Sequence, residues 1–130
     1  MENNNQLPEK NGKNSTEILL TETEIAQCLA LAMIKAGIPT AKMPEGMERN
    51  VLINFVSKNY GKITVKQFNE AFELAYLGKL EVDANLYDKF FSCAYVSRIL
   101  EAYKKYLLED YYKKLGYIVT PGHLPIKKLN

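Results

Sequence analysis

The side chains that could do chemistry in this sequence are few and scattered. Its single histidine is His123, set between Gly122 and Leu124 near the C-terminus. A general base needs a partner that fixes its tautomer and its position, and no such partner stands near His123 in the sequence. The two cysteines, Cys28 and Cys93, form no Cys-x-x-Cys, and no histidine pair exists to complete a zinc set with them. The carboxylate pairs Glu45/Glu48 and Glu70/Glu73 stand at i, i+3 on helical segments, the usual form of a solvated face. A di-metal carboxylate bundle would need Glu-x-x-His motifs, and the sequence has none. It also lacks a Gly-rich phosphate loop, a G-x-S-x-G elbow and an H-E-x-x-H motif. The expectation is a protein that is not an enzyme, with no catalytic residue, metal, cofactor or small-molecule substrate.

The informative surface chemistry is a run of tyrosine and lysine toward the C-terminus. Tyr103, Lys104, Lys105, Tyr106, Tyr111, Tyr112, Lys113, Lys114 and Tyr117 follow one another, with Arg98 upstream. Aromatic rings offer stacking platforms for unpaired bases, and lysines neutralise phosphates. On that reading Arg98, Tyr103, Lys104, Lys105, Tyr112, Lys113 and Lys114 contact single-stranded nucleic acid. A protein interface, where tyrosine is also enriched, is a second reading. Half-buried rings beside ordinary helix-end charges are a third. Glu101, Glu109 and Asp110 interrupt the basic track, which argues against a strong phosphate groove.

These residues must be carried by the stretch from Leu86 to Leu115, which contains neither proline nor glycine. Phe91, Ala94, Tyr95, Ile99, Ala102, Tyr103 and Tyr106 recur at helical spacing. Asn85 can cap the start, with Asp88 in the first turn, and Lys113, Lys114 and Gly116 suit the end. One helix of that length would run about 45 Å. Its far side carries a second apolar stripe of Phe90, Val96, Leu100, Leu107 and Tyr111. A helix apolar on two sides is buried on two sides. The second stripe is therefore a candidate interface for a protein partner or another copy of the chain, unless shorter helices of the same chain cover it.

Three shorter helices precede this one. Thr21 and Glu24 make a capping box, with Leu20 and Ile25 placed as a hydrophobic staple. The helix so started buries Ile25, Cys28, Leu29, Ala32, Met33 and Ala36, then stops at Gly37 before Pro39. A second helix spans about Glu45 to Asn59, with Met47, Val51, Phe55 and Val56 inward and Gly61 in a left-handed cap. Thr64 and Gln67 make another capping box, ahead of a face of Phe68, Ala71, Phe72 and Ala75, and Gly78 ends that helix. Lys79 to Ala84 connects it to the long helix through Leu80 and Val82. After the long helix, Ile118 and Val119 either lie back on the bundle or belong to an arm, with a turn at Pro121-Gly122. The expected fold is all-α: a small bundle of three shorter helices packed on one long C-terminal helix.

The chain has 130 residues, one domain by the usual size of roughly 100–200 residues. Residues 1–16 are polar and asparagine-rich and read as a disordered N-terminal arm. The helical domain is expected over 17–116, with a C-terminal tail over 117–130. The formal net charge is only +2, so bulk charge demands no polyanionic partner. No stretch resembles a signal peptide or reaches the roughly 18 apolar residues of a membrane span. The expected setting is the cytoplasm, with free buried thiols and no membrane contact.

From Tyr60 to Tyr106 the pattern is Gly61, Ile63-Thr64, Phe68, Ala71-Phe72, Gly78-Lys79-Leu80, then Tyr87, Phe90, Tyr95-Val96, Leu100 and Ala102-Tyr103. This stretch, about a third of the chain, resembles small helical proteins of bacteriophages and of mobile elements in gut bacteria. It is a packing pattern and carries over no catalytic residue. The layout is more distantly similar to that of phage replicative helicase loaders and replisome organisers, small helical domains with a flexible arm that engages the helicase. The resemblance implies an accessory protein of phage or mobile-element DNA replication, in the host cytoplasm, that docks on a partner such as a replicative helicase and can touch single-stranded DNA. A virion structural or assembly protein, or a self-associating helical adaptor, is the alternative.

Overall fold

The computed structural model of the chain describes residues 19–85, 91–120 and 122–127. Among them lie three shorter helices and one long C-terminal helix: α1 (Glu22–Lys35), α2 (Gly46–Tyr60), α3 (Val65–Tyr76) and α4 (Cys93–Lys114). A single 3-10 turn at Thr40–Lys42 links α1 to α2. Two short strands, β1 (Tyr117–Ile118) and β2 (Ile126–Lys127), follow α4. The fold is all-α, with this small hairpin appended. The arm expected over residues 1–16 lies outside the described residues. The chain divides into two units within α3, between Glu70 and Ala71.

In the first unit, local chemistry sets the helix ends. The Thr21 backbone N–H donates to Glu24 Oε1 at 2.9 Å, and the Glu24 N–H donates to Thr21 Oγ1 at 3.1 Å. Two donors that the helix leaves orphaned are thereby satisfied. At the other end Gly37 takes a φ of 81°, a conformation glycine adopts without steric cost. The Gly37 and Ile38 N–H groups then reach the Ile34 and Met33 carbonyls at 3.0 and 3.1 Å, closing a Schellman motif. The Leu20 N–H donates to the Gly61 carbonyl at 2.9 Å, tying the start of α1 to the end of α2. The buried residues of this unit include Ile25, Cys28, Leu29, Met33, Ile38, Leu52, Ile53, Val56, Tyr60 and Phe68.

Two expectations for α2 need correction. Met47 and Val51 are 81% and 53% exposed, so they do not face inward. The buried stripe is Leu52, Ile53, Val56 and Tyr60. Both sets have helical spacing, and tertiary packing selects the one that is taken inside. Gly61 is not left-handed; its φ is −66°. Glycine is needed there for a different reason, because a Cβ would stand 2.5 Å from the Ser57 carbonyl oxygen.

Helix α3 begins with the second capping box: Thr64 N–H to Gln67 Oε1 and Gln67 N–H to Thr64 Oγ1, both at 3.0 Å. Phe68, Ala71, Phe72 and Ala75 are all buried, as their spacing predicts. In the second unit Phe91 stacks on Phe72, with ring centroids 5.9 Å apart, and tilts against Tyr95 at 5.3 Å. Leu80 of the connector is buried and Val82 half-buried. No strand forms over 79–84.

The long helix starts later than its sequence suggests. Phe91 and Ser92 are not helical, and the cap is Ser92, whose Oγ accepts the Tyr95 N–H at 3.1 Å. A serine in extended conformation that takes an orphan N–H is a strong start signal. Asn85 instead closes a turn, its N–H donating to Asp83 Oδ1 at 3.0 Å. Residues 86–90, with Asp88 and Phe90, lie outside the described residues. The 22 residues of α4 span about 33 Å.

Candidate docking surface

The first three turns of α4 are firmly anchored. Tyr95, Val96, Ile99, Leu100 and Tyr103 are all buried. The two apolar stripes that the sequence places on opposite flanks merge here into one broad inward face. Tyr95 is fixed at its polar end as well: its hydroxyl donates to the Ala84 carbonyl at 2.6 Å and accepts from the Tyr76 hydroxyl. Burial pushes both phenols to higher pKa, first by desolvation.

From Lys104 to Lys114 no residue is buried. Three turns of helix therefore run without an inward face. Their exposed apolar side chains are Tyr106, Leu107, Leu108 and Tyr111, with Leu115 just beyond. A free helix of this length is marginal in water, so its stability depends on the anchored turns before it and the hairpin after it. The hairpin pairs Tyr117 with Lys127 and Ile118 with Ile126 in antiparallel register. Its Tyr117 ring meets Tyr112 at 5.1 Å. Ile118 and Ile126 stay exposed, so the tail forms its own turn-back and does not bury Ile118 beneath the helices.

The expected interface stripe is thus split. Val96 and Leu100 belong to the core and cannot meet a partner. Leu107 and Tyr111 reach solvent, at 36% and 58% exposure. Phe90 lies outside the described residues. Leu108 and Leu115 join Leu107 and Tyr111 although the stripe does not contain them. The signal for Leu115 is its i+4 spacing from Tyr111, and for Leu108 its i+7 spacing to Leu115.

The nucleic-acid set is scattered in the same way. Tyr103 is buried, with 1% exposure, and its ring stacks on Tyr106 at 6.3 Å. It cannot serve as a platform for a base. Tyr112 is half-buried with its ring against Tyr117. Three of the lysines meet carboxylates: Lys104 and Glu101 at 3.6 Å, Lys105 and Glu81 at 2.8 Å, Lys114 and Asp110 at 3.0 Å. Its hydrogen bond to Glu81 and the charge of that carboxylate hold Lys105 above the usual ammonium pKa, and Asp110 does the same for Lys114. Arg98 and Lys113 are exposed. Such surface pairs are weak, but they divide the basic run into alternating charges and leave no continuous cationic track.

Elsewhere, α1 and α2 of the first unit enclose an open groove of about 670 Å³. Carboxamides of Gln27, Asn50 and Asn54 line it with Arg49 over a floor of Ala26 and Ala30. Glu22 and Thr23 also line it, so the groove offers both hydrogen-bond donors and acceptors. Among the described residues no group of three His, Cys, Asp or Glu side chains could hold a metal ion. His123 is exposed, and its backbone N–H donates to the Thr120 carbonyl at 3.1 Å. Among the described residues no helix is long and apolar enough to cross a membrane. No family model matches the chain, and no curated relative or solved structure matches it either.

Proposed function

We propose that the chain is a non-enzymatic docking protein, an accessory of phage or mobile-element DNA replication working in the host cytoplasm. Its contact surface is the C-terminal half of α4, and its candidate partner is a replicative helicase. The observation that carries the docking role is the run from Lys104 to Lys114, which exposes Leu107, Leu108 and Tyr111 and buries nothing. Exposed apolar residues clustered on one element mark interaction sites more often than scattered ones do. The replication setting rests on the resemblance of the Tyr60–Tyr106 stretch. Contact with single-stranded DNA is the weaker part of the reading, since Tyr103 is buried and three lysines are paired.

The test is binding of the full chain to an immobilised bacterial replicative helicase. Retention by the wild type is expected, with loss on Leu107→Lys combined with Tyr111→Lys. Both positions are exposed, so the variant should keep its circular dichroism. Absence of wild-type binding would withdraw the helicase. Binding that ignores the double variant would withdraw the surface.

A further inference from the structure

Leu107, Tyr111 and Leu115 follow at four-residue intervals, and Leu108 lies beside them. Together they cover about 100° of the helix circumference. Asp110 and Lys114 flank this face. The charges along the segment come in blocks: Lys104-Lys105, then Glu109-Asp110, then Lys113-Lys114. A partner surface of one sign would meet like charge at one block or another. A reversed copy of the same helix would not. Taken about a point between Tyr111 and Tyr112, reversal carries Leu108 onto Leu115 and brings Asp110 to within one residue of the level of Lys114 in the other copy. That register matches Leu108 with Leu115 and Asp110 with Lys114 together, while Leu107 falls against Gly116 and Tyr111 against Tyr112.

We propose that the exposed face of α4 is closed by a second copy of this chain, docked antiparallel about a two-fold axis near Tyr111–Tyr112. The inference rests on reading these turns as a docking surface and names their occupant when no helicase is bound. A two-fold axis makes the contact self-complementary, so each Leu108–Leu115 and acid–base match occurs twice. In an antiparallel helix pair the same flank of each copy meets. Asp110 and Lys114 of one copy therefore join Lys114 and Asp110 of the other in a four-charge cluster. The overlap from Leu108 to Leu115, about two turns, forms a small seam beside the roughly 1,200–2,000 Å² of a stable interface. The dimer is accordingly concentration-dependent and not permanent.

Sedimentation of the full chain across the micromolar range tests this. The wild type is expected to pass from monomer to dimer, and Leu108→Lys to weaken the dimer at least about tenfold with unchanged helicity. Asp110→Lys and Lys114→Asp each place like charges across the axis, so each alone is expected to be monomeric. Mixed, the two variants should form a heterodimer, because every cross-axis pair is then opposite in sign. The intrachain Asp110–Lys114 pair stays broken in the mixture, so recovery there cannot come from repair of the helix. A wild type that stays monomeric overturns the second-copy assignment, while helicase binding sensitive to Leu107→Lys/Tyr111→Lys would keep the docking surface. A dimer indifferent to Leu108→Lys and to charge exchange also overturns it. A dimer that behaves as described, beside a helicase that does not bind, removes the helicase alone.

Discussion

The Tyr95 hydroxyl donates to the Ala84 carbonyl over 2.6 Å, so a single phenol pins the connector after α3 to the first turn of α4. The same oxygen accepts from Tyr76. Tyr95→Phe keeps the ring and removes this junction, leaving a part-buried carbonyl and a phenol without their partner. We expect a loss of about 1–3 kcal/mol, read as a lower urea midpoint at unchanged slope. An unchanged midpoint would show that the junction contributes nothing.

The two halves of the second apolar stripe should answer differently to the same change. Leu100→Ala empties a buried site and is expected to cost about 2–5 kcal/mol. Leu107→Ala, at the surface, should stay within about 0.5 kcal/mol. Equal costs would contradict the division of α4 into an anchored half and an uncovered half.

Removal of the Ser92 hydroxyl tests where α4 begins. Ser92→Ala is expected to cost about 1 kcal/mol, whereas Asn85→Ala should leave the helical circular dichroism of α4 unchanged. The reverse ranking would restore the longer helix that the sequence alone suggests.

Stability should fall in alkaline solution. Cys28 is raised by burial and then by Glu24, and Tyr76 and Tyr95 are raised first by burial. Each folded pKa lies above its unfolded value, so as pH rises the unfolded chain releases its protons first. The contribution is complete below the unfolded pKa values and declines as pH climbs toward the folded ones. The decline should begin near about pH 8.5 for the thiol and steepen near about pH 10 for the phenols. Urea midpoints through this range should drop steadily; a rise would contradict the assignment.

For the basic residues of α4 the expected result is weak, salt-sensitive binding of a labelled oligothymidine, abolished by changing Lys104, Lys105, Lys113 and Lys114 to Glu. Counterion release makes any phosphate contact steeply salt-dependent. Tight binding that persists in salt would require a stacking surface other than the buried Tyr103.

Much of this fold is legible in the residues. Both capping boxes, Thr21/Glu24 and Thr64/Gln67, close as written, because an N-cap is a local event that needs nothing beyond four residues. The Phe68–Ala75 face is equally local, and that helix has a sharply apolar side. Helix α2 is harder. Met47, Val51 and Phe55 make as regular a stripe as Leu52, Val56 and Tyr60, and only tertiary packing chooses between them. The end of the long helix is plain from Lys113, Lys114 and Gly116, but its start is obscured by a run without proline or glycine, in which Ser92 looks like one more polar residue. The candidate surface was half legible. Periodicity finds apolar stripes along α4, yet it cannot say at which turn the cover stops, since that depends on which other elements reach Val96 and Leu100 and do not reach Leu107.

The contrast between the two thiols offers a practical handle. Cys28 is buried and Cys93, in the first turn of α4, is partly open. Reagents reach an accessible sulfur and pass over a sealed one. A maleimide dye should therefore attach to the native chain at one place, with no engineering. That place is the root of the helix whose far end is assigned to docking, so fluorescence from the unaltered protein can report on what the helix meets.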